Sequence, residues 1–163
     1  MTAPEDEAAA ARRRDRRLAM ARAFADNVPH NHALGIVIEA MGDATARFRL
    51  PYAAKLVGNP ETGVLHGGAI TALLDACAGA AVFAALPQLQ PIATLDLRID
   101  YLRPAEPGRD VWAEATCHHM SKNVAFVRAL ACHADGETPI ATAAGTFMIA
   151  TKLGTVAPRG GGA

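Results

Sequence analysis

The sequence predicts an α+β fold in which an antiparallel sheet wraps around one long buried helix. The first observation is an apolar run from Ala69 to Leu86, which is rich in Ala and Leu and therefore favours a helix. The second is that its apolar residues fall on every side of that helix, as in a helix that is buried all round. The third is that four strand-like stretches follow it, joined by short turns, and short turns connect antiparallel strands.

Composition limits the class of protein before any motif is considered. A chain of 163 residues, 51% of them hydrophobic, suits one globular domain with a sizeable core. The formal net charge of +0 argues against a dedicated nucleic-acid surface. Cys77, Cys117 and Cys132 show no CxxC or metal-ligand spacing, so we expect buried free thiols in a reducing cytoplasm. The acidic N-terminus lacks the apolar core of a signal peptide, which agrees with a cytoplasmic location.

The N-terminal region is predicted to be a helix followed by a loop. We expect residues 1–10 to be frayed and the alanine-rich stretch from Arg12 to Phe24 to be helical. Its arginine cluster is better explained as a solvated helix face than as an anion site. That cluster comprises Arg12, Arg13, Arg14, Arg16, Arg17 and Arg22. Pro29 is predicted to end the helix, within a loop that spans Asp26–His32.

The loop contains His30 and His32, which are natural candidates for metal ligands. No further ligands stand at a suitable spacing, so we predict no metal site and treat both as loop residues near a pocket.

The first predicted strands form a hairpin ahead of the long helix. Leu34–Ala40 is an apolar strand, and Gly42-Asp43 is a turn signal. Ala44–Leu50 alternates between apolar and polar residues, as a half-buried strand does. Tyr52–Gly58 is a connection that leads into the long helix.

Four strands are predicted after the helix. The first alternates strictly, with Ala93, Leu95 and Leu97 on one face and Thr94 and Asp96 on the other. The predicted strands are Ile92–Leu102, Val111–His119, Val124–His133 and Thr138–Thr151.

We therefore divide the chain into three parts. Residues 1–33 are an arginine-rich helix and loop, residues 34–152 are the main domain, and the glycine-rich residues 153–163 are a flexible tail.

The apolar run is long enough to be tested as a membrane span, since about 20 residues cross a bilayer. Asp75 lies near its centre, and such an aspartate costs about 2.5–3.5 kcal/mol on insertion scales. The run is mostly alanine and has no basic flanks, so we predict no membrane span. Burying an unpaired charge in a core helix is costly, which makes Asp75 a candidate for a functional carboxylate.

Four features around this helix stand together as a signature. They are Gly58-Asn59-Pro60, the stretch GVLHGG at 63–68, Asp75, and TLDLRIDYLRP at 94–104. From Leu34 to Thr151 the chain resembles the PaaI-like acyl-CoA thioesterases of the hotdog fold. The resemblance implies hydrolysis of an acyl-CoA to a free acid and CoA. It implies no cofactor and no metal, since CoA is part of the substrate.

The resemblance gives the helix N-terminus and its acid complementary roles. Gly67 and Gly68 allow a ligand to approach free N–H groups at the positive end of the helix. The resemblance makes the Gly67 amide the oxyanion donor and Gly68 a substrate contact. Asp75 is then a general base for water, or a nucleophile that forms an anhydride. The alternative interpretation is that the Asp75 carboxylate has a purely structural role.

Asp75 follows Gly68 by seven residues, or roughly 10 Å along the helix axis. That distance is too long for both to act at one site on the same helix. The resemblance implies a homodimer, or a dimer of dimers (a homotetramer), in which the acid of one subunit faces the amide of the other.

Five further residues take roles from the resemblance. His66 holds the thioester sulfur or orients its neighbours, unless it merely caps the helix. Asn59 contacts the carbonyl or the water, although it is also an ordinary turn residue before proline. Thr94 holds the attacking water, which requires a bulge because alternation aims it away from the helix. Lys122 and Asn123, in a tight turn, contact the pantetheine or nucleotide, unless Lys122 is only a solvated charge.

The acyl group stays open between an aryl or phenylacetyl group and a medium-chain fatty acyl group. Two other functions were weighed for this fold. A non-catalytic acyl-CoA-binding hotdog domain would not need Asp75, which argues against it. A hotdog enoyl-CoA hydratase or dehydratase carries a different signature, which this sequence lacks.

Overall fold

The structure is a computed structural model that describes residues 3–133 and 138–149, without the side chains of residues 3–10, 13, 17 and 24. The turn expected at 134–137 and the tail expected at 153–163 lie outside the described residues.

The described residues form a sheet that packs on one long helix. The helices are α1 (Ala3–Asp26), α2 (Pro29–Leu34) and α3 (Gly67–Ala85). The strands are β1 (Val37–Gly42), β2 (Thr45–Leu50), β3 (Val57–Asn59), β4 (Val64–Leu65), β5 (Ile92–Tyr101), β6 (Val111–Met120), β7 (Val124–Cys132) and β8 (Ala141–Ile149). Six strands form an antiparallel sheet in the order β1-β2-β6-β7-β8-β5, and β3 pairs with β4. The predicted hotdog architecture is confirmed.

The core lies between α3 and the inner face of the sheet. Leu73, Leu74 and Val82 of α3 are fully buried against Phe48 of β2 and their other neighbours in the sheet. Fully burying a side chain of this size contributes about 1.5–3 kcal/mol. Cys77, Cys117 and Cys132 are all buried, as predicted. Burial raises the pKa of the Cys77 thiol to about 12.

The prediction that α3 is buried on every side is wrong. Gly68 and Thr71 are exposed and Asp75 is only partly buried, so one face of α3 is not packed into the core. By length and composition α3 could cross a membrane, but 56% of its apolar window is buried inside the fold. The same apolar character therefore serves here to fill a core.

The N-terminal segment is more helical than expected. α1 begins at Ala3, so most of the segment that we expected to be frayed is helical. Pro29 opens α2 instead of only ending α1, which suits a proline at the first position of a helix. Leu34, predicted to start a strand, is the last residue of α2, and β1 begins at Val37. Gly35 ends α2 with a left-handed φ of 78°.

The arginine cluster is partly an exposed face and partly an anchor. Arg14 forms an ion pair with Asp43 at 2.8 Å, and both side chains are largely exposed. Arg22 donates from Nη2 to the Ile38 carbonyl at 2.7 Å, which fastens α1 to β1. On its inner side α1 buries Ala21 and Ala25.

The connection between β5 and β6 is held by His133, which is fully buried. Its Nε2 accepts from the Glu106 N–H at 3.0 Å, so Nδ1 donates to the Asp110 carbonyl at 2.8 Å. The Asp110 carboxylate accepts from the Tyr52 N–H and from Arg49, each at 2.8 Å. Burial acts to raise the pKa of Asp110, but these two hydrogen bonds outweigh it, so the pKa lies below its ordinary value.

Candidate active site

Asp75 and Thr94 meet on the open side of α3. The Thr94 hydroxyl donates to Asp75 Oδ1 at 3.0 Å. An ionised carboxylate offers about four lone-pair positions, so Asp75 can still accept a hydrogen bond from a water molecule. The pair thus combines a possible base with a side chain that fixes its position.

A β-bulge brings Thr94 to the helix. The register between β5 and β8 shifts between Thr94 and Asp96, so Leu95 is the extra residue and is 55% exposed. An extra residue reverses the alternation that precedes it. The bulge required by the predicted role of Thr94 is present. The prediction that Ala93, Leu95 and Leu97 share one face is wrong for the same reason.

A mostly apolar cavity of about 260 Å³ lies beside this pair, and we call it the α3 cavity. Its lining residues come from α3, from the α1–α2 region and from the inner face of β5 and β8. They are Ala25, Val28, His30, Asn31, Ala72, Asp75, Ala76, Gly79, Ala80, Phe83, Ile92, Thr94 and Phe147. The expectation that His30 lies near a pocket is confirmed.

Asn31 is a site residue that the sequence reasoning missed. Its side chain is 8% exposed and donates from Nδ2 to the Ala25 carbonyl at 3.3 Å. The only signal was its place between two histidines, which also fits an ordinary polar loop.

The α3 N-terminus is capped by His66. Its Nδ1 accepts from the Gly68 N–H at 2.9 Å, and its carbonyl accepts from the Ala69 N–H at 3.0 Å. Within the part of the chain that the structure describes, the Gly67 N–H has no hydrogen-bond acceptor. It is therefore the free donor of the first helical turn.

A second cavity of about 400 Å³ lies at this helix end, and we call it the N-terminal cavity. It is lined by His66, Gly68 and Lys55, among others, and shares His30 and Ala72 with the α3 cavity. The acid and the helix N-terminus thus border neighbouring spaces on one side of α3.

Comparison with known proteins gives this geometry a family. The profile of the thioesterase superfamily matches residues 62–140, which include the whole of α3. The medium/long-chain acyl-CoA thioesterase YigI of Salmonella typhimurium is 30% identical over 139 residues, covering 77% of this chain and 88% of YigI. The chain belongs to the thioesterase superfamily.

Solved structures of relatives agree with this assignment. A Pseudomonas aeruginosa protein is 43% identical with a TM-score of 0.74, covering 82% of this chain and 99% of the other. The phenylacetic acid degradation protein PaaI of Thermus thermophilus is 25% identical with a TM-score of 0.67, covering 76% of this chain and all of the other. The thioesterase is a PaaI-like hotdog protein and a thioester hydrolase.

The signature residues of this thioesterase form two groups within one chain. Asp75 and Thr94 form one group, and His66, Gly67 and Gly68 form the other. Gly67 and Asp75 are eight residues apart on α3, or about 12 Å along its axis. The single chain therefore does not bring Asp75 to the Gly67 N–H that the resemblance predicts as the oxyanion donor.

Three predicted site residues of the thioesterase lie outside both cavities. Asn59 is exposed at the end of β3, where its Oδ1 accepts from the Glu61 N–H at 3.0 Å. Lys122 and Asn123 are exposed in the turn between β6 and β7. Their roles toward substrate stay predictions. Within the described ranges, no group of three His, Cys, Asp or Glu side chains could hold a metal ion.

Proposed function

We propose that this thioesterase hydrolyses acyl-CoA to a free acid and CoA in the cytoplasm, with no metal and no cofactor beyond the CoA of its substrate. The observation that carries this proposal is the Asp75 carboxylate, held by Thr94 at the side of an apolar cavity. YigI, which is related to this chain over most of its length, is named an acyl-CoA thioesterase.

The active site is shared between two subunits. The separation of about 12 Å between Gly67 and Asp75 on one rigid helix calls for a second chain. β5 is an edge of the sheet, is ten residues long and exposes Leu95 and Tyr101. A long edge with apolar side chains is a template for strand pairing. Antiparallel pairing of two β5 strands gives a homodimer, and two such dimers give a homotetramer.

In the shared site, the Gly67 N–H of one subunit receives the thioester carbonyl oxygen. Removing one such donor typically lowers the rate by about 10²–10³-fold. Asp75 of the other subunit, with Thr94, takes a proton from water, and the hydroxide adds to the carbonyl carbon. The tetrahedral intermediate expels the CoA thiolate, which then takes a proton. In the alternative route, Asp75 attacks the carbonyl carbon and the C–S bond breaks to release the CoA thiolate, after which water hydrolyses the resulting anhydride to the free acid and regenerates Asp75.

His66 fits a role at the leaving sulfur. Its Nδ1 accepts from the Gly68 N–H, so the neutral ring carries its proton on Nε2. That Nε2–H is then the donor available to a thiolate near the helix N-terminus. Asn59 is proposed to contact the carbonyl or the water. Lys122 and Asn123, both exposed, are proposed to contact the pantetheine or the phosphates of CoA.

The α3 cavity is proposed to hold the acyl group. Its volume is about 260 Å³. An apolar cavity of about 150 Å³ accepts benzene, and typical ligand pockets start near 300 Å³. This volume suits a phenylacetyl group or a medium-length alkyl chain, and a long chain would extend beyond it. YigI is named for medium and long chains and the Thermus relative for phenylacetic acid degradation, so both classes belong in the assay.

The test is release of CoA thiol from phenylacetyl-CoA, benzoyl-CoA and straight-chain acyl-CoAs. Wild type is compared with Asp75→Asn and with the control Asp96→Asn, whose carboxylate is exposed on the same strand as Thr94. We expect turnover by wild type and the control, and a loss of at least about 100-fold in folded Asp75→Asn. No turnover of any substrate, or full activity in Asp75→Asn, would overturn the proposal.

The shared site has its own test. Size-exclusion chromatography with light scattering should give an even number of subunits. A fully active monomer would contradict a site built from two chains.

A further inference from the structure

Tyr101, the last residue of β5, reaches the first turn of α3. Its hydroxyl lies 2.6 Å from the Gly67 carbonyl oxygen and 2.8 Å from Thr71 Oγ1. A Cβ added at Gly67 would lie 3.3 Å from the same hydroxyl and 3.4 Å from the ring carbon that bears it. The tyrosine therefore packs directly against the residue whose N–H is the free donor of the helix.

The protons in this contact can be assigned from chemistry. The Gly67 carbonyl can only accept, and Tyr101 at 2.6 Å is a closer donor to it than Thr71 Oγ1 at 3.2 Å, so we assign the Tyr101 proton to this carbonyl. With that proton assigned, the Thr71 hydroxyl, which also reaches the Gly67 carbonyl at 3.2 Å, donates over the shorter distance of 2.8 Å to the Tyr101 oxygen. The Gly67 carbonyl belongs to the same peptide unit as the Gly68 N–H, which donates to His66 Nδ1. One chain of hydrogen bonds thus runs from Thr71 through Tyr101 and this peptide to His66.

We propose that Tyr101 is a positioning residue for the α3 N-terminus of this thioesterase, acting through the Gly67–Gly68 peptide on the orientation of His66. The inference rests on the proposed function, since His66 and Gly67 matter only if they face the thioester. Linked hydrogen bonds polarise one another, by about 10–30% per bond in the condensed phase. Tyr101 therefore also strengthens the Gly68 N–H as the donor that keeps the His66 proton on Nε2.

The chain contains a matched control for this contact. It has 2 tyrosines, and the other, Tyr52, also donates from its hydroxyl to a glycine carbonyl, that of Gly63 at 2.8 Å. Each Tyr→Phe substitution removes one phenol-to-carbonyl hydrogen bond and keeps the ring. Only the Tyr101 bond continues to His66, so only Tyr101→Phe should affect the reaction.

The experiment compares Tyr101→Phe and Tyr52→Phe with wild type, after light scattering has shown that all three have the same subunit number. We expect a similar fall in melting temperature in both variants. In Tyr101→Phe, kcat should fall roughly five- to tenfold, the scale of one lost hydrogen bond, with little change in KM. In Tyr52→Phe, kcat should stay within about twofold of wild type. The hydrogen bond that this variant loses is of similar strength, but it is not part of the series of hydrogen bonds that leads to His66.

A spectroscopic readout separates positioning from general loosening. Long-range ¹H–¹⁵N correlation of the His66 ring should show the Nε2–H tautomer in wild type and Tyr52→Phe, and a tautomer mixture in Tyr101→Phe. An unchanged His66 spectrum and unchanged kcat in Tyr101→Phe would overturn the inference. If Asp75→Asn loses activity while Tyr101→Phe keeps the kcat and the His66 spectrum of wild type, only this inference is refuted. Full activity in Asp75→Asn would refute the proposed function itself.

Discussion

Gly79 offers the sharpest test of where the acyl group lies. It faces the α3 cavity, and a Cβ added there would sit 3.8 Å from Ile92 Cδ1 and 3.8 Å from Phe147 Cε1. Both distances are ordinary van der Waals contacts, so an alanine fits without displacement of its neighbours. The carbons of a larger side chain would extend into the cavity. Gly79→Leu is therefore expected to shorten the space for substrate.

The size of the effect follows from volumes. Counting each carbon as about the size of a water, roughly 30 Å³, the four carbons that leucine adds fill on the order of 120 Å³. That is nearly half of the 260 Å³ of the α3 cavity. The leucine side chain therefore displaces about four methylenes of an acyl chain that fills the cavity, and each buried methylene contributes about 0.8 kcal/mol of binding free energy. The sum, about 3 kcal/mol, corresponds to a loss of roughly 200-fold in kcat/KM.

The assay is kcat/KM against chain length, from acetyl-CoA to dodecanoyl-CoA, together with phenylacetyl-CoA. Gly79→Leu should lose activity steeply for chains that fill the cavity and little for acetyl-CoA. Gly79→Ala is the matched control, since it adds one carbon and should shift the profile by about one methylene. It should also stabilise α3 by up to about 1 kcal/mol, because alanine is the better helix former.

The reasoning fails if folded Gly79→Leu lowers kcat/KM by the same factor for every chain length, or leaves the profile of wild type unchanged. Either result would place the acyl group outside the α3 cavity. A melting temperature close to that of wild type is needed to exclude a general loss of structure.

Two further predictions concern stability. The pKa of Asp110 is lowered in the folded chain, so its ionised carboxylate stabilises the fold. This stabilisation is fully present above the ordinary pKa of 3.8 and is lost as the pH falls through the lower pKa of the folded state. Urea unfolding between pH 6 and pH 2.5 should show this loss as a fall in the free energy of unfolding. In Asp110→Asn the free energy of unfolding should depend less on pH. An unchanged pH dependence would assign the acid sensitivity to other groups. His133→Phe should lower the free energy of unfolding by about 2–4 kcal/mol, since two backbone groups lose their partner. Urea midpoints measure this effect, and a change below about 0.5 kcal/mol, the size of an ordinary surface substitution, would show that the connection is held by other contacts.

The fold was predictable because its main signals do not depend on distant residues. α3 was recognised from its continuous apolar run and the later strands from their alternation and short turns. The N-terminal segment was harder, because Pro29 can follow one helix or open another. The choice is made by tertiary contacts that no local pattern shows. One of them is the hydrogen bond from Asn31 to the Ala25 carbonyl.

The bulge in β5 shows the limit of periodicity. Leu95 is apolar and has the parity of an inner-face residue, and no glycine marks the irregularity. Alternation alone therefore placed it on the same face as Leu97. The need for a bulge came instead from the role expected of Thr94, and the hydrogen bond to Asp75 agrees with it. Chemical reasoning about the site predicted a backbone feature that the pattern concealed.

His66 had two interpretations in the sequence, and the structure bears on one of them. The sequence left open whether it caps the helix or serves the thioester. The structure shows the cap, made through Nδ1. Because imidazole has a second nitrogen, this cap leaves Nε2 for the role proposed at the thioester sulfur. The part played by Tyr101 could not be predicted, since it lies 34 residues from Gly67 along the chain.

The axial rise of helix α3 constrains where Gly67 and Asp75 can act in this thioesterase. No choice of side chain can bring Asp75 to the Gly67 N–H of the same helix, because the axial separation of about 12 Å is fixed by the backbone. In the proposed dimer, β5 supplies both the pairing edge and Tyr101. Any change in how β5 pairs would also move the tyrosine hydroxyl that holds the Gly67 peptide. Subunit pairing would thus contribute to the site in two ways. It would add the missing acid, and it would fix the helix end that the acid must face.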